Sequence, residues 1–165
     1  MAPLNPRLMM EQAMREIQKI LQEQEFTDID EANAYLAKMS GKGLKNVLRN
    51  RRPLSPQEEA QEIAERAGQA ATAKQAIALA RQALAKDPHC VGALMVLAEA
   101  GSKSDEEYIA GMEKAVAVGE RSFGTAYFEE NKGHFWLILE TRPYMRAREA
   151  LAGCLLGAGR MPEAI

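Results

Sequence analysis

"KQAIALARQALAKDP", residues 74–88, is the stretch that decides the fold. Ala76, Ala80, Ala83 and Pro88 stand at offsets of 0, +4, +7 and +12. At 3.6 residues per turn the three alanines share one face of an α-helix. A face of alanines buries little by itself, but it lets a second helix come close. Pro88 cannot continue a helix and marks the turn after it. The stretch therefore predicts the second member of an antiparallel helical pair.

The first member lies just upstream, after "LSPQEEAQ" (residues 54–61). Ser55 is placed to cap it, Pro56 takes the first helical position, and Glu58 completes a capping box. A unit counted from Gln57 puts Ile63, Ala64 and Ala67 on the packing face of this first helix. A second unit, 34 residues on, starts at Val91. Leu94, Leu97, Ala98 and Gly101 then fill its first-helix positions, and Ala110, Lys114 and Ala117 its second-helix positions. Helical pairs at this period resemble the tetratricopeptide repeat. Where that repeat usually carries tryptophan, tyrosine and phenylalanine, this chain has Ala60 and Leu94, Ala67 and Gly101, and Ala80 and Lys114. A third unit starts at Met145, with Leu151, Ala152, Leu155, Gly159 and Ala164 in matching positions.

The fold expected is all-α: a right-handed superhelical array of tetratricopeptide-like antiparallel hairpins, preceded by two extra N-terminal helices. Its organisation reads as an N-terminal helical segment (1–39), a basic linker (40–56) and the array (57–165). Within the array the units are 57–90 and 91–124, an insertion 125–144 and a truncated unit 145–165. Asn5 and Pro6 open the first N-terminal helix, with Met10, Ala13, Met14, Ile17, Ile20 and Leu21 as its stripe. Asp28 and Glu31 form a capping box for the second, whose face is Ile29, Ala32, Leu36 and Met39. Composition agrees, because alanine, leucine and methionine dominate the apolar residues while β-branched ones are few.

A net charge of −2 argues against a strongly basic nucleic-acid binder or an acidic tail. No apolar run reaches the ~18 residues of a membrane span and no signal peptide opens the chain, so a cytoplasmic protein with no membrane contact is expected. Cys90 and Cys154 lie far apart without a CxxC, as reduced, buried thiols would.

From Ser55 onward the chain resembles one particular tetratricopeptide family. The residues that carry this are "AIALARQALAKDPHCVGALMVLAE" (76–99) and "GERSFGTAYFEENKGHFWLILETRPYMRAREALAGCLLGAGRMPEAI" (119–165), with "DIDEANAYL" (28–36) upstream. They are similar to bacterial relatives of the eukaryotic suppressor-of-tumorigenicity-seven family. "GHFWLILETRPYMRAR", residues 133–148, is the most specific block. The resemblance implies an interaction scaffold without chemistry, and an array that continues with further repeats. The membrane segments of the eukaryotic members have no counterpart in these residues.

Six of the nine aromatics, Phe123, Tyr127, Phe128, Phe135, Trp136 and Tyr144, gather around the 125–144 insertion. His134 sits beside Trp136, but Gly133 interrupts the spacing from Glu130 and no second histidine is near, so packing is expected rather than metal binding. Phe135, Trp136 and Leu137 are suited to fill the joint the insertion opens, with Arg142 and Pro143 starting the next helix. Glu129 and Glu130 diverge on a helix, and Cys154 has no activating neighbour on its own face. No phosphate loop, GxSxG or HExxH is present. No catalytic, cofactor-binding or metal-ligating residues are expected, and no cofactor: the chain reads as a non-enzyme.

The expected function is binding a peptide or helix of a protein partner in the concave groove of the array. Its candidate lining is Glu58, Gln61 and Glu65 from unit one, Met95 and Glu99 from unit two, and Arg146 and Glu149 from unit three. Four glutamates against one arginine favour a basic ligand. The third unit lacks the partner helix that would cover Leu151 and Leu155, so self-association of a truncated form of a longer array is expected there. The alternative is anion or nucleic-acid binding through residues 38–52, a stretch that carries Lys38, Lys42, Lys45, Arg49, Arg51 and Arg52 and no acidic residue. With a protein partner as the ligand, gel shifts with DNA or RNA should show no salt-sensitive complex. A complex that disappears when Arg49, Arg51 and Arg52 are neutralised establishes the alternative instead.

Overall fold

Caps and prolines set where the helices begin. The computed structural model of the chain describes residues 6–22, 24–39 and 53–164; Asn5 and the basic stretch 40–52 lie outside them. The described residues are all-helical, with seven α-helices and no strand. They divide into two units, one within residues 4–53 and one within 54–165. The first holds α1 (Pro6–Gln22) and α2 (Ile29–Met39). The second holds α3 (Pro56–Gly68), α4 (Ala73–Lys86), α5 (Val91–Gly101), α6 (Asp105–Glu130) and α7 (Arg142–Gly157), with 3-10 turns at Phe135–Leu137 and Met161–Glu163.

In the N-terminal unit the structure corrects the expected stripe. Ile20 is buried, but Met10, Ala13, Met14 and Ile17 are exposed, while Glu11 and Glu16 are buried. Helical spacing identifies a face but not which way it points. Glu16 is paired with Lys19 at 3.4 Å, which offsets part of its burial. At the start of α2 the Glu31 N–H donates to Asp28 Oδ1 (2.8 Å), so Asp28 is the cap. The return contact goes elsewhere: Glu31 Oε2 accepts from the Thr27 N–H (2.9 Å) and hydroxyl (2.7 Å). These two donors hold the Glu31 carboxyl below the usual carboxylate range. Ile29 is exposed, and Ala32 and Leu36 are half-buried.

The second unit starts on the expected capping box. The Glu58 N–H donates to Ser55 Oγ (3.2 Å) and the Ser55 N–H to Glu58 Oε2 (2.8 Å), with Pro56 opening the helix. Thr72 caps α4 and Ser104 caps α6 in the same way, through the N–H three residues on. Between α3 and α4 the core is alanine: Ala60, Ala64 and Ala67 against Ala76, Ala80 and Ala83, closed by Cys90, Ala93 and Val96. Consecutive helices pack on one another from α3 to α7. In addition α3 packs on α5 and α5 on α7, so these three lie side by side as one layer.

The second unit's register differs from the expected one. Leu94 and Ala98 are buried as predicted and Leu97 is half-buried, but Gly101 is exposed. Ala110 and Lys114 are also exposed and Ala117 only half-buried. The buried face of α6 is instead Ile109, Met112, Ala115, Val116, Val118 and Gly119. The reason is helix length. α3 and α5 begin 35 residues apart, but α5 is 11 residues long where α3 has 13, and α6 begins only 32 residues after α4. A uniform 34-residue step therefore rotates the predicted face of α6 away from the core.

Two glycines in α6 set how closely its neighbours approach. A Cβ at Gly111 would stand 2.6 Å from Ala98 Cβ and 3.3 Å from Ala98 Cα on α5. One at Gly119 would stand 2.6 Å from Tyr144 Cδ2 on α7. Tyr144 is 1 % exposed and belongs to the larger core with Leu94, Met95, Ala98, Met112, Ala115, Val116, Val118, Phe135 and Ala147.

The joint between α6 and α7 is an aromatic cluster, but only part of the expected plug. Phe135 is buried; Trp136 is 39 % and Leu137 75 % exposed, because the 3-10 turn puts consecutive side chains on different sides. Thr141, fully buried, offers its hydroxyl to the carbonyls of Phe135 and Ile138 (2.9 Å to the latter). Arg142 and Pro143 do open α7, as expected.

The expected exposure of Leu151 and Leu155 does not hold. Leu155 is 2 % exposed and Leu151 is half-buried against the larger core. Both share the inward stripe of α7 with Tyr144 and Ala147, at the 3–4 residue spacing of one helix face. At this end of the chain the exposed large apolar residues are Leu156 and Met161.

These contacts predict opposite outcomes for two glycine-to-alanine changes. Gly111→Ala must push α5 from α6, costing about 1–3 kcal/mol of overpacking against roughly 1 kcal/mol of helix propensity gained. Gly153→Ala, in α7 with nothing within 4 Å of the new methyl group, keeps the propensity gain alone. Thermal melts should show the first variant lowered and the second raised.

Candidate functional site

The expected groove residues fall on α3, α5 and α7, the three helices of one layer, but they do not all remain available to a ligand. Glu58 is the third residue of α3, and its carboxylate closes the capping box on the Ser55 N–H. Glu65 is buried (7 % exposed) and accepts a hydrogen bond from Gln61 Nε2 at 3.0 Å. Gln61 is half-buried and lies beside Gly92 of α5. Met95 is part of the larger core rather than of a surface.

Glu99, Arg146 and Glu149 keep solvent contact: the two glutamates are exposed and Arg146 is half-buried. Arg146 on α7 is close enough to Glu99 on α5 for its charge to act on that carboxyl. Desolvation by the surrounding helices is the larger effect and raises the Glu99 pKa above the ordinary value, with Arg146 opposing it. Gln61–Glu65 and Glu99–Arg146 are thus the two pairs that the fold assembles from the expected set.

Tyr108 joins this region without having stood out in the sequence. It sits in the first turn of α6, half-buried, with its phenol pKa raised by desolvation and then by the negative charge of Glu99 and the thiol of Cys154. The available signal was its isolation, since no other aromatic lies between Tyr35 and Phe123.

The remaining candidates do not converge. His134 is exposed ahead of the 3-10 turn, and His89 is exposed in the turn after α4. Among the described residues no three His, Cys, Asp or Glu side chains group so as to hold a metal. Cys90 is buried at the start of α5. Desolvation pushes its thiol pKa up, the backbone N–H of Ala93 opposes this, and the charges of Asp87 and Glu65 add to the rise. That environment favours the thiol over the thiolate. Among the described residues no helix is long and apolar enough to cross a membrane.

No family model, curated protein or solved structure matches the chain.

The raised Glu99 pKa gives a pH prediction with a definite sign. A carboxyl with a higher pKa folded than unfolded makes the folded state bind more protons, so its contribution to stability falls as pH rises between the two values. Glu99→Gln removes that loss. The variant should melt above the wild type at pH 7, and the difference should shrink as pH falls through the carboxylate range. A variant that melts lower at pH 7 would show that attraction to Arg146 outweighs desolvation.

Proposed function

We propose that the chain is a non-catalytic, cytoplasmic interaction scaffold of tetratricopeptide type, which binds a basic peptide segment of a protein partner along the layer formed by α3, α5 and α7. The observation that carries this reading is that layer. Three helices from successive pairs lie side by side, with Gln61 on α3, Glu99 on α5 and Arg146 and Glu149 on α7 each reaching solvent. The carboxylates left exposed, Glu99 and Glu149, flank one arginine, and this favours lysine or arginine side chains on the ligand. Glu65 supports the layer from beneath by fixing Gln61, and Met95 anchors α5 in the core.

Fluorescence anisotropy with basic and acidic peptide libraries tests the reading. Basic peptides should bind preferentially and weaken with salt. Glu99→Gln with Glu149→Gln should reduce that affinity by about tenfold without lowering the melting temperature. Preference for acidic peptides, or basic-peptide binding indifferent to the double change, refutes it.

A further inference from the structure

Gly124 interrupts α6 with φ 75° and ψ 163°, a backbone conformation open essentially to glycine alone. A helical hydrogen-bond ladder does not run through such a residue, so the segment after Gly124 is not held by the body of α6. From Asn131 onward the backbone hydrogen bonds of that segment are short-range, and the Arg142 N–H donates to Leu139 O (3.3 Å), which ties the far end to α7. The Asn131 N–H donates to Tyr127 O (3.1 Å), His134 N–H to Asn131 O (2.9 Å) and Leu137 N–H to His134 O (2.8 Å). At its far end the Arg142 Nε–H donates to Trp136 O (3.1 Å), and Thr141 holds the carbonyls of Phe135 and Ile138.

The segment meets the helices through aromatic rings. Tyr127 stacks on Phe123 with centroids 5.1 Å apart. Phe128 meets Tyr144 edge-on at 5.6 Å, and Phe135 meets Tyr144 at 6.0 Å. Phe128 and Phe135 stack on each other at 4.8 Å within the segment. The segment thus runs from a non-helical glycine at one end to the Thr141 and Arg142 bonds at the other, with aromatic packing between them.

We propose that residues 125–140 form a strap, hinged at Gly124 and latched by Tyr127, Phe128 and Phe135 on Phe123 and Tyr144, that opens as one unit while α3 to α5 stay folded. Opening uncovers Phe123 and Tyr144, an aromatic seat at the joint between α6 and α7. Sub-global opening of this kind moves a contiguous segment as one cooperative unit and leaves the rest of the fold in place.

Native-state hydrogen exchange in low urea on the intact chain reads this directly. The bonded amides of Asn131, His134, Leu137 and Ile138 should exchange together, on the order of 10²-fold faster than those of α4 and α5. They should share one urea slope, above zero and below the slope of global unfolding. Phe128→Ala should accelerate these amides and leave those of α4 and α5 unchanged. Trp136, the only tryptophan, lies on the strap, so its emission should change at lower urea than the helical circular dichroism does. A slope of zero, meaning independent local fluctuation, or the global slope, meaning no separate opening, overturns the proposal. So does a Phe128→Ala effect spread equally over α4 and α5.

Discussion

At Gly111 a methyl group would lie 2.6 Å from Ala98, and at Gly119 the same distance from the Tyr144 ring. Those separations lie inside the contact distance of two carbons, so the spacing of α5, α6 and α7 exists only because two side chains are missing. Between α3 and α4 the same closeness comes from six alanines. Small contact residues give up apolar area per residue and recover it as backbone proximity, where many weak dispersion contacts accumulate. The rest of the unit depends on this constraint. Helices that come this near pack consecutively, and the first helices of successive pairs are brought against one another as a layer.

That layer determines which polar residues are available. Glu58, Gln61 and Glu65 all stand on α3, yet one carboxylate is committed to a cap and another is buried and bonded to Gln61. Farther along, α5 and α7 bring Glu99 and Arg146 within electrostatic reach although 46 intervening residues separate them in the chain. The large side chains go where close packing is relaxed. Phe123, Tyr127, Phe128, Phe135 and Tyr144 gather around the kink at Gly124 and the joint that follows it.

Local chemistry is the legible part of the sequence. Ser55 with Glu58, Pro56, Pro143 and the alanines at 76, 80 and 83 each announce their role through their nearest neighbours, and the structure places them accordingly. Quantities that depend on distant elements are not legible. A fixed period puts Ala110 and Lys114 on the packing face, but α5 is two residues shorter than α3 and the face turns. The stripe Met10, Met14 and Ile17 is helical as expected but does not point inward. Leu155 looks like an open end when its neighbour helix is sought downstream in the sequence, whereas it is buried on the same face of α7 as Tyr144 and Ala147. Of the seven groove candidates, burial withdraws Glu65 and Met95, and a cap engages Glu58. Burial cannot be read from a helical repeat alone.

We propose α3, α5 and α7 as the ligand-bearing layer. Two-dimensional amide NMR of the isotope-labelled chain, titrated with a lysine- and arginine-rich peptide, tests it most directly. The account predicts shift changes centred on Gln61, Glu99, Arg146 and Glu149, with the outward residues of α4, such as Lys74, Ala78 and Arg81, unmoved. Changes centred on α4, or a spectrum unaltered at millimolar peptide, would contradict it.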